Sequence, residues 1–156
     1  MRPAGTPVGL HLTQVSRVIS RAFDDALAAA GGSLPVWLVL LNLKMRSLAS
    51  QRELAEAMGI REATLTHHLN SMEAGGQITR RRDPANRRIH VVELTEAGEA
   101  AFLSLRTAAI AFDRQLRRGI TDQDIAGLDG LLDRLAANVR ADDGRFPWVG
   151  LAEDRS

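Results

Sequence analysis

Between Gly75 and Thr95 the chain changes its hydrophobic period with no linker between the two patterns. The segment REATLTHHLNSMEAGG has helical spacing and stops at Gly75-Gly76. Directly after it, Ile78 to Arg82 and Ile89 to Leu94 read as short strands flanking Asp83-Pro84-Ala85-Asn86. Aspartate first and proline second suit a type I turn, so the spacing predicts a β-hairpin. Five arginines crowd it: Arg80, Arg81 and Arg82 on one arm, Arg87 and Arg88 past the turn. One such hairpin in a chain otherwise patterned as helix leaves few architectures open.

The helices announce themselves by their ends. In GLHLTQVSRVISRAFDDALAAAGG, Leu12, Val15, Ile19, Phe23, Ala26, Leu27 and Ala30 recur at helical spacing, and Gly31-Gly32 stop the run. Ser33 is an N-cap for SLPVWLVLLNLKMR, with Pro35 in its first turn; apolar nearly all round, this helix is expected to be buried. Ser50 and Glu53 form a capping box for a third helix, and Gly59 ends it in a left-handed turn. Thr95 caps a long helix to about Arg118, and Thr121 with Asp124 caps another to about Arg140. The tail after it has no periodicity. Ala55, Gly59 and Leu65 sit where a crossed helix pair needs a small residue, a turn and a core residue. A helix-turn-helix followed at once by an arginine-rich hairpin is a winged helix. The expected fold class is therefore mainly α, an α+β winged helix-turn-helix.

Composition excludes several functions. At 156 residues, with 45% hydrophobic and 25% charged residues, the chain reads as an ordinary globular domain. It holds no run of ~18 apolar residues that would span a membrane, and no apolar leader, so a cytoplasmic location is expected. Cysteine is absent, which removes disulfides and thiolate chemistry. With only His11, His67, His68 and His90 as imidazoles, no metal site is expected, and no cofactor either. Net charge is +1, but Arg61 to Val92 carries six arginines against three carboxylates.

A helical wheel adds detail to the helix before the hairpin. With Leu65 pointing to the core, Leu69 and Met72 stay near it. Ala63, His67 and Asn70 fall opposite, flanked by Thr64, Thr66 and Ser71, and His68 lies at the margin, half buried. That outer face is short, polar and nearly uncharged, suited to base edges and phosphates in a major groove. The hairpin beside it can reach a minor groove, whose narrow stretches attract arginine. The expected DNA contacts are Thr64, Thr66, His67 and Asn70 on the helix and Arg80, Arg82, Arg87 and Arg88 on the hairpin, with Ser50 and Arg61 at the two helix starts.

TLTHHLNSMEAGGQITRRRDPANRRIHVVELTEAG resembles the MarR family of bacterial transcriptional regulators. Thr64, Thr66, Leu69, Met72, Glu73 and Gly76 match the family's recognition-helix pattern. Arg80, Asp83-Pro84, Arg87-Arg88, Val92, Leu94-Thr95 and Gly98 match its wing and exit. Asn86 departs from it, standing where the family has an aspartate that braces the wing arginine, here Arg88. The resemblance spans about 8–141. It implies a homodimer on a pseudo-palindromic double-stranded operator, and a repressor released by a small aromatic or lipophilic effector. In that arrangement 1–141 is one domain: about 33–95 is the winged helix, about 8–32 and 96–141 are dimerisation helices, and 142–156 is a C-terminal tail. His11, Val15, Trp37 and Leu41 are the residues placed to line an effector cleft.

Three other function classes compete with this reading. Enzyme function finds no support: there is no phosphate-binding loop, no HExxH, no GxSxG and no paired carboxylates. A winged helix can also serve as a protein adaptor or a non-specific architectural DNA binder. The polar outer face lacks the aromatic anchors a protein hot spot favours, and sequence discrimination separates a regulator from an architectural protein.

Overall fold

A computed structural model describes residues 5, 7–46 and 49–139. The tail 142–156, with Phe146, Pro147 and Trp148, lies outside the described residues, as does Arg140. In chain order the elements are α1 (Val8–Ala29), α2 (Leu34–Arg46), β1 (Ala49–Ser50), α3 (Gln51–Met58), α4 (Glu62–Ala74), β2 (Ile78–Arg82), β3 (His90–Leu94), α5 (Glu96–Leu116) and α6 (Asp122–Val139). Backbone packing groups them into two compact units, one ending at Phe112 and one beginning at Asp113.

The first unit is a winged helix. Its core gathers Leu27, Trp37, Val39, Leu40, Leu43, Leu54, Leu65, Leu69, Met72, Ile78, Val92 and Leu105. Each such side chain moved out of water stabilises the fold by about 1.5–3 kcal/mol. As expected, α2 is the most buried helix, with Val36 N–H donating to the Ser33 hydroxyl at its start. Trp37 stacks on Phe102 with ring centroids 5.6 Å apart. The Ser50–Glu53 capping box forms in both directions, and Gly59 takes the left-handed conformation (φ 64°) that lets α3 hand over to α4 within three residues.

Two details of the sheet differ from the sequence reading. It has three strands in the order β1-β3-β2, all antiparallel, because Ala49 and Ser50 pair with Val92 and Val91 just before α3 begins. The hairpin turn also lies later than Asp83–Asn86. Asp83 closes a first bend with its carboxylate, which accepts Ala85 N–H at 2.7 Å. The backbone bond of the turn runs from Ile89 N–H to the Asn86 carbonyl (2.9 Å), so β3 starts at His90, not Ile89. The physical reason is how far the strand pairing reaches: Asp83 N–H donates to the Ile89 carbonyl (2.9 Å), so the arms stay paired past Arg82 and the chain tightens only at Asn86–Ile89.

The base of the hairpin is clamped. Thr95 donates its hydroxyl to the Gly76 carbonyl (2.5 Å) and its N–H to the Gln77 carbonyl (3.1 Å). The same hydroxyl caps α5 by accepting Gly98 N–H. Gly98 is required by contact: a Cβ there would stand 2.0 Å from the Gln77 carbonyl oxygen.

The second unit holds the end of α5 and α6. Thr121 and Asp124 cap α6 reciprocally, and the Thr121 hydroxyl holds the Asp124 carboxyl below its ordinary range. No residue of α6 is buried. Among the described residues no single helix is long and apolar enough to cross a membrane.

Candidate nucleic-acid interface

α4 is held against the core by Leu65, Leu69 and Met72, all buried. Its opposite face, with Ala63, Thr64, His67, Asn70 and Ser71, is exposed, and His68 is half buried with its ring 5.8 Å from that of His67. The wheel drawn from the sequence therefore describes the real helix. A hydrogen bond fixes its tilt: Gln51 Nε2 donates to the Thr66 hydroxyl at 2.6 Å, joining α3 to α4, and Thr66 in turn donates to the Glu62 carbonyl. Thr66 is thus occupied with holding the helix pair. The Ser50 hydroxyl is likewise occupied as the α3 cap, while Arg61 and Thr64 stand exposed at the start of α4.

The five hairpin arginines divide into two groups. Arg80 folds back on α4: its Nε and Nη2 donate to Glu73 Oε2 at 3.0 and 2.5 Å, and Nη2 also donates to Asn70 Oδ1 at 2.6 Å. Glu73 accepts the Arg80 backbone N–H as well, and the Arg80 side-chain bond keeps its carboxyl below the usual range. Arg81 pairs with Glu93 across the sheet at 2.8 Å, which lowers the Glu93 carboxyl in the same way. Arg82 donates from Nη1 to the Arg87 carbonyl (3.0 Å), stapling the loop. Among the described residues, the guanidinium groups of Arg87 and Arg88 meet no acceptor. The wing tip is therefore a two-arginine prong, while beneath it Arg80 and Arg81 are paired with carboxylates and Arg82 is tied to a backbone carbonyl.

Asn86 braces backbone, not charge. Its Oδ1 accepts Arg88 N–H at 3.2 Å, and the Asp83 carboxylate is taken by Ala85. The sequence reading missed Glu73 and Gln51 as holders of the site. Both act across a change of element, where helical spacing carries no signal.

The four residues expected at an effector cleft separate. Trp37 and Leu41 are buried, Trp37 against Phe102, whereas His11 and Val15 are exposed on α1.

Residues 33–90 match the family model described as the MarR family. Among solved structures, the chain resembles a MarR mutant from E. coli complexed with operator DNA, at 21% identity and TM-score 0.76, covering 83% of this chain and 93% of that one. A probable transcriptional regulator from Pseudomonas aeruginosa is 26% identical with TM-score 0.74, over 82% and 96%. CouR from Rhodococcus jostii bound to p-coumaroyl-CoA is 22% identical with TM-score 0.72, over 86% and 95%.

Proposed function

We propose, on the match of residues 33–90 to the MarR family model, that the chain is a MarR-family winged-helix protein and a sequence-specific double-stranded DNA-binding regulator. It acts as a homodimeric repressor, not an enzyme. The observation that carries this reading is the short polar face of α4 beside a wing tip whose Arg87 and Arg88 guanidinium groups meet no acceptor among the described residues. Thr64, His67 and Asn70 face base edges; Arg61, Arg87 and Arg88 face phosphates or a minor groove, with Ser50 at the α3 start. Thr66 and Arg80 serve by holding neighbours, and Arg82 by holding the tip.

Dimerisation rests on apolar residues left exposed in the single chain: Val8, Leu10, Val15 and Val18 on α1, and Leu128, Leu131 and Val139 on α6. Segments about 8–32 and 96–141 supply the interface, and 33–95 reads DNA. Two copies put two α4 helices on successive major grooves about 34 Å apart. An aromatic or lipophilic effector that favours a different spacing weakens binding tenfold for about 1.4 kcal/mol of preference. Its pocket forms between copies, since His11 and Val15 face outward while Trp37 is closed in the core. Structures with operator DNA and with p-coumaroyl-CoA in similar folds support both halves of this reading.

The test is selection from random duplexes, followed by affinity against salt. Each phosphate contact contributes about −0.9 to the slope of log affinity on log salt. The Arg87→Ala, Arg88→Ala double variant is expected to flatten it by about two if both touch phosphate. An unchanged isotherm for that variant defeats the reading of the wing.

A further inference from the structure

Arg80 reaches from β2 back to α4 and ends on Asn70, which lies on the outer face. A guanidinium only donates, so the Asn70 atom 2.6 Å from Arg80 Nη2 is the carboxamide oxygen. The amide nitrogen is therefore turned the other way, and among the described residues it makes no hydrogen bond. Arg80 is itself anchored. Glu73 takes its Nε, Nη2 and backbone N–H, and the Arg80 side chain is 20% exposed.

That arrangement restricts what Asn70 can read. A free asparagine pairs with adenine by donating to N7 while its oxygen accepts from the N6 amino group. Here the oxygen already holds a charged donor, and charge-assisted bonds are about twice as strong as neutral ones. The outward amino group has only donors to offer. Guanine presents two acceptors, N7 and O6, on its major-groove edge, whereas adenine sets an N6 donor beside its single acceptor. Resting on the DNA-binding reading above, we propose that Arg80, anchored by Glu73, is a positioning residue that makes Asn70 a donor-only contact selecting guanine over adenine.

The experiment starts from the duplex that the full-length protein enriches from a random pool at one salt concentration, with every base pair then varied. Asn70→Ala is expected to flatten the preference at one base pair, where wild type favours guanine about tenfold. At that position 7-deazaguanine weakens the wild type and leaves Asn70→Ala unaffected. Asn70→Asp keeps an acceptor for Arg80 but loses the outward donor, so the guanine preference disappears. Arg80→Met frees the carboxamide, and adenine is expected to rise to parity with guanine there. A purely structural Arg80 would instead lower affinity for all duplexes with no change in base choice. Glu73→Gln loosens the anchor and shifts the base choice in the same direction by less, which covers the case that Arg80→Met fails to fold. Adenine at the Asn70-dependent position in wild type, or uniform weakening by Asn70→Ala, overturns the assignment. Enrichment of no sequence overturns the DNA-binding reading and this assignment with it.

Discussion

Among the described residues from Leu34 to Leu94 the large apolar side chains close on one another, with Met45 and Ile89 as exposed exceptions, whereas α1 and α6 leave many of theirs exposed. α1 buries only Leu27, and α6 buries nothing. The first region satisfies itself within one chain: a capping box, a three-stranded sheet, and ion pairs on Arg80 and Arg81 of the hairpin. The terminal helices carry apolar side chains that stay exposed among the described residues. The contrast teaches that the proposed reading surface is held by bonds within one chain, while α1 and α6 keep the exposed apolar side chains on which the proposed dimer rests.

The largest expected effect breaks the closed region from inside. Gly98→Ala puts a methyl on the Gln77 carbonyl and is expected to cost at least about 3 kcal/mol, the upper end of ordinary overpacking. Urea denaturation measures it, and a wild-type midpoint would show that the hairpin base is not tight. Next comes the open region. Leu128→Glu with Leu131→Glu is expected to leave the winged helix folded but monomeric in sedimentation. At protomer concentrations a hundredfold above the dissociation constant, it removes about 2.7 kcal/mol of apparent stability. A wild-type chain that sediments as a monomer at micromolar concentration would end the comparison as drawn.

A smaller effect sharpens it. Ser50→Ala removes a cap that accepts Glu53 N–H and is expected to cost about 1 kcal/mol, visible in one chain at any concentration. The smallest is acid sensitivity. Glu53, Glu73 and Glu93 in the first region and Asp124 in the second have carboxyls lowered by Ser50, Arg80, Arg81 and Thr121 respectively. A carboxyl lower in the folded state contributes fully above its unfolded value, about 4. That contribution is lost as pH falls through the lower folded value. Since these groups are exposed, solvent screening keeps each contribution small. Denaturation midpoints below pH 5 should therefore fall slightly less for Glu73→Gln than for wild type, and an identical pH dependence would discount the Arg80 bonds as stabilising.

Much of this was legible in the sequence, and the limits have a physical cause. Ser50–Glu53 and Thr121–Asp124 act over three residues, so spacing reveals them. Leu65, Leu69 and Met72 follow from one helical period. The winged helix itself follows from a helix pair running into a hairpin. What spacing could not reveal crosses elements. Arg80 meets Glu73 and Asn70 only because the chain reverses at Gly75-Gly76, so no spacing in the sequence reveals those bonds. β1 is two residues long, too short for any period. Trp37, the one large aromatic of α2, reads equally as a pocket wall or a core residue until Phe102 arrives from α5.

The ties that hold the wing tip are all internal to it: Asp83 to Ala85, Asn86 to Arg88, and Arg82 to the Arg87 carbonyl. Those at its base run through Thr95, Gly76, Gln77 and Gly98. Because the two sets share no residue, a change in the length of the loop between Arg82 and His90 leaves the ties at the base of the hairpin untouched. Surface loops tolerate such changes in length. The reach of the proposed DNA-contacting tip is thereby set apart from the strands and from the outer face of α4.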